Sequence, residues 1–362
     1  MEPNEPQSAD QENIAPPSPV SDGENAEALK EPDSAAGEFV EISPPQPKQV
    51  RRRLTSEEYR RLLDRKIRRM YPWSVLLFLA ACASTWFVGG PVYAAGVMGI
   101  LLAHELGHYF QALRYNVPAS PPMFIPMPFL MLGTMGAVIV QGAGFANRKA
   151  LFDIAISGPL AGLVFAIPIA WWGLQDSTVT TIDPTQGSII FGDPLILKWM
   201  YEARHGVLAA NQEVVLNPLL FAGWVGIFIT ALNLVPIGQL DGGHILYTLI
   251  GRKAHWVAYS VVGGAIVWMV TTRDFSFILM IGLLYAFGLR HPPTADDTVS
   301  LGAVRTLLGW LALGFVLIGF TPIPITAQQA DPSAVTSPLE TTIDSNPSII
   351  PMRPMTESDK PH

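Results

Sequence analysis

The sequence predicts an α-helical multi-pass membrane protein with about seven transmembrane helices. Of its 362 residues, 49% are hydrophobic and 15% are charged, whereas a soluble domain carries roughly 25% charged residues. The mean hydropathy is +0.30, and apolar runs of spanning length recur between residues 73 and 320. We therefore expect one membrane-embedded domain and no appended soluble domain.

Polar segments flank this apolar region. Residues 1–50 are acidic and proline-rich, so they cannot bury enough apolar area to offset chain entropy and are predicted to be disordered. Residues 51–71 form a basic juxtamembrane segment, which either sets the topology or docks on anionic lipid. Residues 321–362 are predicted to be a disordered polar tail. The membrane domain is then 72–320, with a core of 72–250, and the N-terminus does not resemble a cleavable signal.

Seven apolar runs are candidate transmembrane helices. Gly90 and Pro91 predict a tight turn between the first two runs, and the fourth run continues past a break into residues 243–250. The stretch 175–216 is mixed polar and predicts an exposed loop. The seven runs are 73–89, 92–113, 151–174, 217–235, 254–271, 275–289 and 301–320.

Lysine and arginine mark the cytoplasmic side of a membrane protein. The basic block before Trp73 predicts a cytoplasmic N-terminus, and the protein is expected in a bacterial cell membrane. Counting spans puts further basic residues on the same side and the C-terminal tail on the other. Those basic residues are Arg114, Arg148, Lys149, Arg252, Lys253 and Arg290.

Three ionisable residues lie in the middle of the second apolar run, which contains HELGH. Charged groups at this depth are costly, so they indicate function. His104 and His108 lie four residues apart on one helical face and can bind one metal, which predicts one zinc ion per chain. Glu105 between them is not a ligand in this pattern, but can take the proton of the attacking water. Cys82 is the only cysteine, so neither a disulfide nor a cysteine metal site is expected.

A catalytic zinc ion keeps three protein ligands and one open position. The candidate for the third ligand is Asp241, which follows Pro236 and Gly238 in NLVPIGQLDGG. These two residues break a helix inside the membrane, which is tolerated only where the backbone lines a cavity or protein. An acid on such a break can reach a metal on a neighbouring helix. The alternative is a solvated acid at the membrane edge.

Together, His104-Glu105-Leu106-Gly107-His108 and the segment from Asn233 to Gly242 resemble the two motifs of the site-2 protease family of intramembrane zinc metalloproteases. The resemblance covers roughly residues 73–250. It implies that His104, His108 and Asp241 bind zinc, that Glu105 is the general base, and that Asn233 holds the substrate or stabilises the oxyanion. It also implies cleavage of transmembrane protein substrates, in regulated intramembrane proteolysis. The small-residue run 157–162 is similar to a third family motif and would let helices approach closely.

Residues 116–149 are apolar but contain five prolines and four glycines, so no helix is expected there. Extended runs at 123–132 and 137–140, separated by 133–136, predict a re-entrant β-hairpin directly after the zinc helix. The family resemblance implies the same feature. The edge at 137–140 is then available to capture an unwound substrate by β-addition. The alternative is an apolar lid that only shields the metal.

Other functions remain open at this point. One is a different membrane zinc protease with Glu202 or Glu213 as third ligand; another is a catalytically inactive binding or chaperone protein; a third is a metal-ion transporter. The expected partners are a transmembrane substrate and the bilayer, with no nucleic acid. His244 either hydrogen-bonds to a metal ligand without binding the metal itself or is structural. His205, His255 and His291 belong to no motif.

Overall fold

The computed structural model describes residues 55–142, 144–182, 188–209, 211–275, 277–278, 281–282, 285, 288–289 and 291–328. These residues form a mostly helical protein. Its α-helices are α1 Ser56–Arg114, α2 Arg148–Gln175, α3 Leu195–His205, α4 Pro218–Asn233, α5 Asp241–Ile250, α6 Ala254–Thr272 and α7 Ala303–Gly319. The predicted tails at 1–50 and beyond 328 lie outside the described residues.

Helix α1 is a helical hairpin. It begins at a capping box between Thr55 and Glu58, so the predicted basic segment continues directly into the first apolar run. At Gly90 the backbone leaves helical geometry with φ of 77°, a conformation that glycine adopts without steric cost. The two arms then run back along each other, and the hydroxyls of Tyr71 and Tyr109 lie 2.9 Å apart. This confirms the predicted turn at Gly90 and Pro91.

The second arm of α1 packs with α2 and α4 to form the centre of the protein. Trp224 of α4 and Tyr93 and Ile100 of α1 are fully buried there. Helix α7 is joined to this centre by an ion pair, in which Arg305 donates two hydrogen bonds of 2.8 and 2.9 Å to Asp153 of α2. Packing and this charged pair thus hold these helices together.

Helical structure is interrupted between α4 and α5. Short turns bond the backbone of residues 234–240 to itself, with Val235 N donating to Leu232 O and Leu240 N to Ile237 O, both at 3.1 Å. Such local bonding is what a broken helix requires inside a membrane. Helix α5 then runs through a 3₁₀ turn at Gly251–Lys253 into α6.

Three helical segments of the described residues are long and apolar enough to cross a membrane: α1, α2 and the continuous run Asp241–Thr272. Helices α4 and α7 are apolar but shorter. The protein is therefore an integral, mostly helical membrane protein. The prediction of about seven spans is confirmed only to this extent, and the run predicted at 275–289 lies largely outside the described residues.

The stretch 175–216, which is predicted to be an exposed loop, has regular secondary structure among its described residues. This stretch contains α3 and the strands β3 Val179–Thr181, β4 Ser188–Phe191 and β5 Gln212–Val214. Strand β3 pairs with β5, and β4 pairs with β6 Ile325–Gln328. Strand β6 lies in the segment predicted to be a disordered tail, so residues 325–328 correct that boundary. Pairing with a distant strand orders both stretches.

An antiparallel hairpin follows α1, formed by β1 Met123–Met127 and β2 Gly133–Val138. The turn lies at 128–132, where Gly133 N donates to Leu130 O at 2.9 Å, and not at the predicted 133–136. Phe129 at the tip is 96% exposed. The hairpin packs along α1, since Ser84 Oγ donates to Gly133 O at 2.6 Å.

Candidate metal centre

Helix α1 carries the two predicted histidines and the glutamate in its second arm. His104 is 2% exposed, Glu105 5% and His108 6%. Their burial follows from packing of this arm against α2 and α4. The spacing of four residues puts both imidazoles on one face of the helix, as the sequence predicts.

Asp241 lies beside these histidines and is carried by the start of α5, directly after the interrupted helix. It is the first residue of α5, and its side chain is 14% exposed. Oδ2 of Asp241 lies 3.2 Å from Nε2 of His104 and 3.2 Å from Nε2 of His108. The structure therefore brings together the three residues that the sequence predicts as ligands, although Asp241 follows His104 by 137 positions.

The three atoms fit a tetrahedral metal ion. The two histidine Nε2 atoms are also 3.2 Å apart, so the ligand atoms form an almost equilateral triangle. With zinc bonds of about 2.0–2.1 Å, tetrahedral ligand atoms lie about 3.3–3.4 Å apart, close to the observed spacing. Among the described residues, these three are the one group of histidine, cysteine and acidic side chains close enough to hold an ion. Two imidazoles and one carboxylate form a donor set typical of catalytic zinc.

The tautomer of His108 is fixed by α2. Its Nδ1 lies 2.7 Å from the carbonyl oxygen of Ile154. A carbonyl only accepts, so Nδ1 carries the proton and Nε2 keeps its lone pair for a metal. Such a bond to the far ring nitrogen is the usual support of a metal-binding histidine.

The small-residue run 157–162 lies directly beneath the histidines. A Cβ atom added to Gly158 would lie 2.0 Å from Nε2 of His108, and one added to Gly162 would lie 3.1 Å from Nδ1 of His104. The prediction that these residues let two helices approach closely is confirmed. The space that His108 occupies exists because residue 158 has no side chain.

Asn233 ends α4 beside the cluster. Its Nδ2 lies 3.4 Å from Nε2 of His104, so the amide donor is at the edge of the ligand triangle. Glu105 lies within electrostatic range of His104, His108 and Asp241. Both predicted catalytic side chains are thus close to the metal ligands.

The structure adds a histidine pair that the sequence does not predict. Nδ1 of His244 lies 2.6 Å from Nε2 of His291, and the His291 ring stacks on Tyr247 with centroids 4.3 Å apart. Burial lowers the pKa of His291 to about 4, so it is neutral near pH 7. His205 instead contacts Ser177 at 3.0 Å, away from the metal ligands. Only the position of His244 after Asp-Gly-Gly offered a signal; His291 lies in no motif.

Buried His-His-Asp ligands inside apolar helices define a membrane metalloprotein. The model of Peptidase family M50 matches residues 92–270. This segment includes both motifs and all five predicted site residues. The chain is therefore similar to the M50 peptidases, the family of the site-2 proteases, and zinc is its metal.

Three curated relatives are plant proteins, each named a probable zinc metalloprotease and chloroplastic. EGY1 of Arabidopsis thaliana is 32% identical over 64% of this chain and 42% of its own length. EGY2 of the same plant is 28% identical over 61% and 40%, and EGY3 of Oryza sativa subsp. japonica is 26% identical over 63% and 41%. The chain spans about two fifths of the length of these relatives. Because they are chloroplastic, they do not support the expected bacterial cell membrane.

Proposed function

We propose that this protein is a zinc-dependent endopeptidase that cleaves membrane-protein substrates inside or at the edge of the bilayer. The observation that carries the proposal is the convergence of His104, His108 and Asp241 within 3.2 Å of one another, on helices apolar enough to cross a membrane. Buried ionisable groups in such helices are costly and are kept for function.

His104, His108 and Asp241 hold the metal. A bound zinc ion polarises a carbonyl and makes water a better nucleophile near neutral pH. Glu105 takes a proton from the attacking water and returns it to the amide nitrogen as the C–N bond breaks. Asn233 donates its amide N–H to the oxygen of the scissile carbonyl as negative charge develops there. Its position beside His104 at 3.4 Å supports this role.

The β1–β2 hairpin is proposed to receive the substrate. Val140 N donates a hydrogen bond to Ser120 Oγ, and Val140 O accepts one from Ser120 N. Gly142 N donates to the carbonyl oxygen of Pro118 on the same side. Because backbone groups alternate along a strand, Ile139 and Gln141 direct theirs to the opposite edge. In the described residues no further strand pairs with that edge. A substrate with its helix opened can add there as a third strand.

The site is proposed to open toward the end of the helices that carries basic residues. Arg60 donates to the carbonyl of Asn116 at 3.3 Å, so the basic start of α1 lies beside the end of its second arm. His108 precedes Arg114 by six residues, which is roughly 9 Å along a helix. Basic residues face the side from which the protein inserts.

The other readings of the sequence fit less well. Glu202 lies on α3 and Glu213 on β5, and the ligand cluster contains neither. Asp241 fills the third position, so a protease with a glutamate ligand is not favoured. Glu105 beside an assembled ligand set gives no support to an inactive binding protein, and one three-ligand site does not resemble a transport path.

Glu105→Gln tests the proposal. The variant is expected to keep zinc and to lose cleavage by about 10²–10⁴-fold, the usual contribution of a general base. The matched control is Glu202→Gln, since Glu202 is exposed on α3. Both proteins are reconstituted with a single-span substrate, and its fragments are identified by mass spectrometry alongside zinc content. Equal cleavage by Glu105→Gln and wild type would disprove the proposed role.

A further inference from the structure

One segment connects the break before α5 to α5 itself and to the start of α2. Residues 288–289 and 291–298, called here the clamp segment, lie along α5. Gly288 begins it, and its carbonyl oxygen is 2.7 Å from where a Cβ of Gly238 would lie. The clamp segment therefore contacts the break itself before it reaches α5.

His291 makes the central contact of the clamp segment. Its Nδ1 bonds to the carbonyl oxygen of Pro292, which only accepts, so Nδ1 carries the proton. Its Nε2 is then the acceptor, and Nδ1 of His244 donates to it at 2.6 Å. The low pKa of His291 agrees with a neutral ring of this tautomer. The pair is directional: His244 donates and His291 accepts.

The next turn of α5 is held by the same segment. Tyr247 stacks on His291 and donates its hydroxyl to Oδ2 of Asp297 at 3.0 Å. Thr294 donates to the other oxygen of Asp297 at 2.6 Å. Because residues three apart are neighbours on a helix, His244 and Tyr247 give α5 two successive attachment points.

The clamp segment then joins α2. Ala295 N donates to Ala146 O at 2.9 Å, and Asp296 O accepts from Arg148 N at 3.1 Å. The Arg148 side chain in turn donates to the carbonyls of Thr248 and Leu249, at 2.6 and 3.1 Å. The last turn of α5 is thereby tied directly to α2, and His244 and Tyr247 are tied to α2 through the clamp segment. Helix α2 also supplies the carbonyl that holds His108.

We propose that His244 and His291 are positioning residues for the metal ligand Asp241. Asp241 is the first residue of α5, three positions before His244 and thus its neighbour on the helix surface. An acid at the start of a ten-residue helix moves with any shift of that helix. The bond from His244 to His291 holds this turn in the place where Oδ2 of Asp241 completes the ligand triangle. This inference rests on the ligand set of the proposed function.

The test uses variants that separate the hydrogen bond from the fold. His244→Ala and His291→Phe each remove the bond, and the phenyl ring keeps the stack on Tyr247. His244→Asn keeps a donor close to the position of Nδ1, and His291→Gln keeps an acceptor close to Nε2. His255→Gln is the control, because His255 contacts the backbone oxygen of His291, at 3.3 Å, and the Tyr247 ring, with centroids 6.0 Å apart, but takes no part in the bond between His244 and His291.

Zinc affinity is measured on the full chain in detergent by competition with a chelator, and the cobalt-substituted proteins are compared by their visible absorption bands. Loss of a partner that orients a metal ligand typically weakens metal binding about 10–100-fold. We expect that loss and an altered cobalt spectrum for His244→Ala and His291→Phe, and no further loss when the two are combined. His244→Asn, His291→Gln and His255→Gln should stay near wild type.

Asp241→Asn in the same series separates the two ideas. If Asp241→Asn loses zinc while His244→Ala and His291→Phe bind it like wild type, the positioning role is wrong and the ligand set stands. A fall in thermal stability with unchanged zinc affinity and cobalt spectrum also overturns the role, because it marks a purely structural bond. If Asp241→Asn keeps full affinity, the ligand set fails and the positioning role fails with it.

Discussion

Gly158→Ala should remove zinc from the protein while leaving most of its fold intact. The added Cβ would lie 2.0 Å from Nε2 of His108 and 2.4 Å from the two ring carbons beside it. Ordinary carbon contacts begin near about 3.5 Å, so the ring must retreat by more than about 1 Å. Metal–ligand distances tolerate only about 0.2 Å. His108 therefore leaves the ligand triangle.

The clash falls on a side chain that is able to rotate, so the fold need not absorb it. Overpacking typically costs about 1–3 kcal/mol, and replacing a helical glycine by alanine returns up to about 1 kcal/mol. We expect zinc affinity to fall at least about 100-fold, with only a small change in the thermal midpoint of the metal-free protein. Zinc per chain after dialysis against a chelator and thermal unfolding are the two measurements.

Three other glycines give a graded comparison. A Cβ on Gly107 would meet the backbone oxygen of Ser157 at 2.6 Å, one on Gly162 would meet His104 at 3.1 Å, and one on Gly99 would meet nothing within 4 Å. Gly107→Ala should therefore cost stability, Gly162→Ala should weaken zinc mildly, and Gly99→Ala should change neither. If Gly158→Ala retains zinc as well as Gly99→Ala does, the close packing of α2 beneath His108 is not what holds this ligand.

Four further changes have expected outcomes. Asn233→Ala should keep zinc but lower the cleavage rate about 10²–10³-fold, as loss of an oxyanion donor does; equal zinc content with full activity would remove Asn233 from the mechanism. Ile139→Pro should slow cleavage of a helical substrate, because it removes a backbone N–H donor from the free edge of the hairpin. A second substrate with a preformed helix break tests whether capture of the substrate strand follows unwinding of its helix. A cysteine at Arg114 should react with a polar reagent only from the side of the N-terminus. Burial raises the pKa of Asp193 from 3.8 to about 6. The free energy of unfolding should therefore be highest below pH 4, where Asp193 is protonated in both states, and fall by up to about 3 kcal/mol as the pH rises through 6. Asp193→Asn should abolish that pH dependence in chemical unfolding.

Local patterns indicate the candidate site because its chemistry is local. His104, Glu105 and His108 share one helical turn, and Asp241 follows a break marked by Pro236. The sequence had no means of showing that α5 meets α1, and the resemblance to a family supplied that connection. His291 could not be predicted, since its role depends on a contact with His244, 47 positions away.

The structure departs from several sequence-based predictions for physical reasons. Residues 128–132 are apolar and were expected to be a strand, yet they form the hairpin tip, and Phe129 is exposed as an apolar residue can be beside lipid. Gly133 and Gly136 were expected to form the turn but belong to β2. Strands β4 and β6 are four residues each, too short for periodicity to identify, and only their pairing over more than 130 positions orders them.

The break before α5 explains how one carboxylate is held without a long supporting helix. A Cβ on Gly242 would lie 1.9 Å from the carbonyl oxygen of Leu234, so the chain doubles back until the first turn of α5 touches the end of α4. The backbone on both sides of Asp241 is thereby fixed by contact with protein, and only the two side-chain torsions of the aspartate remain to be set. A metal ion shared with Nε2 of His104 and Nε2 of His108, each 3.2 Å from Oδ2, would set those torsions. Little ordering is then left to occur when the metal binds, which is the condition for a tight site. Gly242→Ala should accordingly lower zinc affinity by displacing the backbone that carries Asp241. No alternative rotamer of His104 or His108 can then restore the zinc affinity.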